Sequence, residues 1–203
     1  MAYSIDSTAA DCYPGTTCLV NKLEIQDETI LAEKEAAIVF AKASLLDQCP
    51  IQGGFDFEHY KQIHHFLFCD LYDWAGQIRT INIGKKGTTF ISANEIERCA
   101  GACFAHIASF SPEGLSHHEL ATEIADFYHT VNMIHPFREG NGRTQRVFFA
   151  QWLHHLGYNF DLISIDPDEF MIATIFAAQG VMDQLVHLFE EAIIPLDNME
   201  ITF

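Results

Sequence analysis

His135-Pro136-Phe137-Arg138-Glu139-Gly140-Asn141-Gly142-Arg143-Thr144-Gln145-Arg146 is the stretch on which the reading of this chain turns. Two glycines around an asparagine, directly before a helix-prone run, let backbone N–H groups converge on one point. The positive end of the helix dipole stands behind them, which makes the turn an anion cradle. Arg143 and Arg146, three residues apart, project along one side of the opening helical turns. The chain has only eleven Lys and Arg in all, so two arginines beside this cradle point to phosphate. Glu139 adds a hard carboxylate oxygen suited to Mg²⁺, which binds through one or two carboxylates plus substrate phosphates. His135 stands at the mouth of the loop, and imidazole is the usual general base near neutral pH. Each residue alone has a plainer reading as a turn, a solvated helix-end charge or a structural histidine. Their conjunction points to nucleotide chemistry.

Working outward, helices flank the stretch on both sides. Upstream, Ser116 with Glu119 forms a capping box, and Leu120, Ile124, Phe127, Val131 and Ile134 follow the helical period. Downstream, Arg143–Leu156 is apolar on nearly every face (Val147, Phe148, Phe149, Trp152, Leu153), as a central helix must be. Asp27 caps a first helix to about Leu46, in which Leu31, Ile38 and Leu45 recur every seven residues. Asp56 caps a second over 57–72, with Phe57, Ile63, Leu67 and Leu71 inward and Trp74-Ala75-Gly76 closing it. Another helix runs from about Ala93 to Phe110. Asp166-Pro167 starts a further one, and a last helix covers about 181–194 before Pro195. Between them the period changes once. Residues 78–83 alternate apolar and polar, Gly84-Lys85-Lys86-Gly87 turns, and Thr88-Thr89-Phe90-Ile91 follows, a β-hairpin. The expectation is an all-α bundle with one small hairpin, a single domain over 1–203 with irregular tails at 1–20 and 195–203.

Composition bounds the function. The 203 residues carry 28 acidic and 11 basic side chains, a net charge of −17. A field of that sign repels phosphate backbones and anionic lipid, which argues against direct nucleic-acid or membrane binding. The chain shows no signal-peptide pattern and no apolar run of membrane-spanning length, so a cytoplasmic protein is expected. The six cysteines are scattered without a Cys-x-x-Cys pair and read as buried reduced thiols. The adjacent histidines 64–65, 117–118 and 154–155 lie about 100° apart on a helix, the wrong spacing for a zinc site.

The quoted stretch resembles the signature of the Fic family, His-x-Phe-x-(Asp/Glu)-Gly-Asn-Gly-Arg-x-x-Arg, and matches at every defined position. The likeness extends over roughly residues 14–194: Trp74-Ala75-Gly76-Gln77-Ile78-Arg79 and the following hairpin resemble the pre-motif region and the flap of that family. The length is that of its short, stand-alone bacterial members. The resemblance implies the Fic fold and transfer of AMP from ATP to a Ser, Thr or Tyr hydroxyl of a protein, with release of pyrophosphate. It implies that His135 is the base, that Phe137 anchors the loop, and that Glu139 holds Mg²⁺. Gly140, Asn141 and Gly142 line the anion hole, with the Asn141 side chain adding a phosphate hydrogen bond. Arg143 takes the β-phosphate and Arg146 the γ-phosphate. Lys86, Gly87, Thr88, Thr89 and Phe90 form a flap that binds the target as an added strand, the hairpin having no other strand to pair with.

Two other readings stand beside this one: removal of AMP or transfer of another phospho-group, and a nucleotide-binding regulatory module without catalysis. For short bacterial members the resemblance implies a bacterial target, such as a type II topoisomerase subunit, and a toxin–antitoxin role. Restraint in the family comes from (Ser/Thr)-x-x-x-Glu-(Gly/Asn) on a helix. Here Ser109–Gly114 fits only as a loop, and Thr29-Ile30-Leu31-Ala32-Glu33 is followed by Lys34. The expectation is therefore a separate, small antitoxin that supplies the inhibitory Glu to Arg146.

Overall fold

The computed structural model describes residues 4, 5, 11–85, 87–162 and 164–196. Lys86, read above as a flap residue, lies outside the described residues. The chain is an all-α bundle: α1 (Glu28–Gln48), α2 (Phe57–Phe68), α3 (Ile96–Ser109), α4 (His117–Ile134), α5 (Asn141–His155), α6 (Pro167–Ala177) and α7 (Asp183–Ala192). Five short strands accompany them: β1 (Ser4–Ile5), β2 (Ile83–Lys85), β3 (Thr88–Thr89), β4 (Tyr158–Phe160) and β5 (Ile193–Pro195). No helix among the described residues is long and apolar enough to cross a membrane.

The helix starts follow from their caps. Asp27 accepts from the N–H groups of Thr29 and Ile30, Asp56 from His59, and Asp166 from Asp168 and Glu169. The capping box of Ser116 and Glu119 is closed in both directions. The core lies around α4, which packs against α3, α5 and α7, while α5 packs against α1, α2, α4 and β4. Aromatic rings fill it, with Tyr60 between Phe104 and Phe137, and Phe148 set edge-on to Tyr60 and Phe104.

Three expectations need correction. The buried stripe of α1 is Leu31, Glu35, Val39 and Leu46, whereas Ile38 is half-buried and Leu45 is 55% exposed. A seven-residue step falls short of two full turns. Leu45 therefore drifts roughly 40° to one side of Leu31, while the true stripe lies roughly 40–80° to the other. The hairpin is not the sole β-structure. Its regular pairing is confined to Gly84↔Thr89 and Lys85↔Thr88, and β1 pairs antiparallel with the far edge of β2 through Ser4↔Gly84 and Ile5↔Ile83. Among the described residues β3 is thus one edge of a sheet ordered β1-β2-β3, and β1 is the other. A second sheet joins β4 to β5, so Pro195 ends a strand instead of merely following a helix. Strands of two or three residues carry too little alternation to be seen in a sequence. Finally, only Cys12, Cys18 and Cys103 are buried; Cys69 and Cys99 are half-buried and Cys49 is exposed.

Candidate active site

The α4–α5 connection is a loop whose polar groups are answered inside the chain. α4 ends at His135, whose backbone is left-handed (φ 44°) and whose N–H still donates to Val131 O at 3.1 Å. Phe137 is fully buried and stacks on His64 at 3.7 Å between ring centroids and on Tyr60 at 5.5 Å. It is the anchor the motif implied. Asn141 closes the loop on itself: its Oδ1 accepts from Phe137 N–H at 2.9 Å and its Nδ2 donates to Phe137 O at 2.8 Å. The side chain of Asn141 thus ties the loop together, and its bond to Phe137 O uses one of the two Nδ2 protons.

Gly140 has no substitute. Its φ is +82°, and a Cβ there would stand 2.3 Å from the Phe68 ring. Gly142 is the opposite case, since a Cβ would meet nothing within 4 Å, and its backbone borders the open cleft. With glycine at the N-cap of α5 and no side-chain cap, the first N–H groups of the helix are left for an anion.

A histidine that the sequence reading set aside holds this loop in place. His64 donates from Nε2 to Glu139 O at 3.0 Å, and its Nδ1 accepts from Gly76 N–H at 2.8 Å. The Trp74-Ala75-Gly76 turn and the motif loop are thus joined through one ring, in one tautomer. Burial pushes its pKa down to about 3, so the imidazole is neutral at pH 7.

The loop opens onto a cleft of about 420 Å³. Glu139, Gly140, Gly142, Arg143 and Arg146 of the motif line it, and so do Lys85, Thr88 and Phe90 of the flap. α6 adds Met171, Thr174 and Ile175 to the lining, and its C-cap adds Ala178. Sequence reasoning assigned α6 no role. Its signal was the all-round apolar composition of Pro167–Ala177, more than core contact alone requires.

His135 lines the same cleft, 6% exposed, with its ring parallel to Phe90 at 3.7 Å. Its Nδ1 bonds Asn132 O at 3.0 Å. That bond needs a proton on Nδ1, which makes Nε2 the nitrogen able to accept one. Burial, reinforced by Lys85 and Arg79, pushes the His135 pKa down to about 3 against the opposing pull of the Asn132 bond.

The two motif arginines share the cleft but not their state. Arg143 is half-buried, bonded to Glu35 Oε1 at 2.5 Å and Glu139 Oε1 at 3.3 Å, and stands 4.9 Å from the Phe68 ring centre. Glu35, on the buried stripe of α1, also accepts from the Tyr72 hydroxyl. Burial and that carboxylate push the Tyr72 pKa well up, so the hydroxyl remains a donor. Arg146 is exposed and has no ion pair among the described residues. Glu33 is exposed on another face of α1 and shares no ion pair with Arg146. Glu35 was missed because a carboxylate on an apolar stripe is visible only once the stripe is placed correctly.

The donor set fits Mg²⁺ of one kind. Both hydrogen bonds that Glu139 accepts among the described residues fall on Oε1, so Oε2 can serve a cation. No group of three or more His, Cys, Asp or Glu among the described residues could hold a metal alone. A single carboxylate suits an ion that takes its other ligands from phosphates and water.

Comparison with known proteins agrees with this geometry. A family model described as the Fic/DOC family matches residues 54–153. "Probable protein adenylyltransferase y4lH" of Sinorhizobium fredii is 38% identical over 171 residues, covering 83% of this chain and 88% of the relative. The crystal structure of BepC, a VirB-translocated effector of Bartonella tribocorum with bound AMPPNP, superposes with a TM-score of 0.82 at 29% identity. It covers 91% of this chain and 96% of its own. The N-terminal Fic domain of a Bep effector from Bartonella quintana, with bound ADP, gives a TM-score of 0.84 at 28% identity, with 91% and 94% covered.

Proposed function

The chain belongs to the Fic/DOC family and is a protein adenylyltransferase; from that premise we propose that it moves AMP from ATP to a Ser, Thr or Tyr hydroxyl of a bacterial protein. The observation that carries the reading is the placement of His135, the α5 N-terminus and both motif arginines on one cleft. The acceptor oxygen attacks the α-phosphorus as the bond from that phosphorus to the bridging oxygen of the β-phosphate breaks, and pyrophosphate leaves. The acceptor's proton passes to Nε2 of His135. A ring with a pKa of about 3 is in its basic form at any physiological pH, and the charge of a bound triphosphate raises its proton affinity when it is needed. The α5 amides, Arg143 and Arg146 offset charge on the phosphates, the main requirement of such transfers. Mg²⁺ on Glu139, when bound, neutralises phosphate charge. Met171, Ile175 and Ala178 offer the nucleobase an apolar wall.

The flap residues Gly87, Thr88, Thr89 and Phe90 receive the target, and the open edge of β3 is the side on which a strand can be added. Arg146 has no carboxylate partner among the described residues, Glu33 included. This supports restraint by a separate antitoxin that brings its own Glu, with this chain as the toxin. Incubation with α-labelled ATP, Mg²⁺ and bacterial lysate, followed by mass spectrometry, identifies the acceptor; a type II topoisomerase subunit is the first purified candidate. His135→Ala should lower transfer about 10²–10⁴-fold and leave ATP binding intact. Transfer at the unmodified rate by that variant would overturn the assignment.

A further inference from the structure

Four consecutive carbonyls at the end of α4 terminate on the base of the flap. Met133 O accepts from Ile91 N–H at 2.9 Å and Pro136 O from Arg79 N–H at 2.9 Å. Between them, His135 O accepts from Arg79 Nε at 2.8 Å and Ile134 O from Arg79 Nη2 at 3.3 Å. The same guanidinium reaches into the hairpin, with Nη1 on Ile81 O at 2.6 Å and Nη2 on Ile91 O. Arg79 is only 4% exposed. The last carbonyls of a helix lack intrahelical donors and carry the negative end of its dipole, so a forked cation is the complement they need. The residue whose carbonyl takes the Nε bond is His135, in a left-handed conformation that non-glycine residues keep only where their surroundings hold them. Phe90 of the flap stacks on its ring.

We infer that Arg79 is a positioning residue of the transfer reaction, locking the flap and the backbone of His135 into one unit. A strand laid on the flap then brings its hydroxyl to a base already in register. The inference rests on the adenylyltransferase reading and goes beyond it by naming what couples the target side to the base. Misplacement of about 1 Å costs transfer on the order of 10²-fold, and a coupling defect of this kind leaves nucleotide binding nearly untouched.

The test compares the full chain with Arg79→Lys and Arg79→Met. Initial rates of AMP transfer to lysate protein are read beside calorimetric binding of ATP with Mg²⁺ and the ring-proton shifts of His135, which the Phe90 ring displaces upfield. Expected for Arg79→Met is a loss of about 10²-fold in transfer, ATP affinity within about twofold, and loss of the upfield displacement; Arg79→Lys should recover part of the rate. Wild-type transfer with the displacement preserved in Arg79→Met overturns the inference, as does a parallel fall in ATP affinity and rate, which marks a merely structural residue. If Arg79→Met does not fold, Arg79→Lys decides: full wild-type transfer overturns the inference, and a reduced rate with ATP binding and melting unchanged supports it. Failure of the unmodified chain to transfer AMP would instead strike the underlying reading.

Discussion

The motif loop and the flap border the same cleft and are built on opposite principles. In the loop, side chains satisfy the backbone: Asn141 on both polar groups of Phe137, His64 on Glu139, and the Thr144 hydroxyl on Gly140 O at 3.0 Å. In the flap, two residue pairs of β2 and β3 make the regular sheet contact, and the hold comes at the root, from Ile91 and Arg79. The phosphate cradle is therefore formed before any nucleotide arrives, and its ordering cost falls on folding, not on binding. The flap keeps β3 at an edge of its sheet. On the function proposed above, tight recognition of a constant ligand and loose recognition of a variable one would be divided between the two walls.

Two glycines with the same backbone angle put that contrast to its strongest test. Gly140 and Gly87 both have φ +82°, but a Cβ at Gly140 would collide with Phe68 at 2.3 Å, whereas one at Gly87 meets nothing within 4 Å. Gly140→Ala should cost about 2–4 kcal/mol, from overpacking and left-handed strain together, and should weaken ATP binding more than about tenfold. Gly87→Ala should cost only the strain, about 1–2 kcal/mol, with ATP binding unchanged. Urea denaturation and calorimetric titration of the pair measure this. Equal costs would erase the distinction between a packed loop and an open flap.

Acid should act on the loop before the flap. The pKa values of His64 and His135 are pushed down to about 3 by burial, while a solvated imidazole takes its proton near 6.5. Between those values the unfolded chain binds more protons than the folded one. The contribution of these rings to stability is then fully present above about pH 6.5 and is lost as the pH falls toward 3. Denaturation midpoints followed from pH 7 to pH 4 should fall less steeply in His135→Ala than in the unmodified chain. Parallel curves would mean that His135 is not held neutral by the fold.

What was legible in the sequence follows the same division. The motif could be read because its chemistry is local: glycines, a cradle and a helix start lie within a few residues of each other. The caps at Asp27, Asp56, Ser116 and Asp166 were legible for the same reason. Glu35, His64 and Arg79 were not, since their partners lie 108, 75 and 56 residues away in the chain and nothing local distinguishes them. The bonds of Asn141 within its own loop were not legible for a related reason: a side-chain amide satisfies a phosphate or a backbone equally well, and only the closed loop shows the backbone contact. The open edge of β2 was misjudged because β1, which covers it, is two residues long.

The smallest effect is expected at Glu33, and it bears on who controls the cradle. Glu33 has the spacing from Thr29 that a restraining helix would need, but it stands roughly 120° around α1 from Val39, the nearest residue of the buried stripe, and it is exposed. The acidic residue that α1 does send to the site is Glu35, and it holds Arg143, leaving Arg146 to the cleft. Glu33→Gly should therefore change AMP transfer by less than about twofold, with a stability loss of no more than about 1 kcal/mol from glycine in a helix. Glu33→Ala separates the two, since it removes the carboxylate without that loss. Initial rates of both variants, measured on the chain alone, decide the matter. A sharp rise in transfer in both would place the restraint within this chain and make a separate inhibitor unnecessary; unchanged rates leave Arg146 open to a carboxylate from another protein.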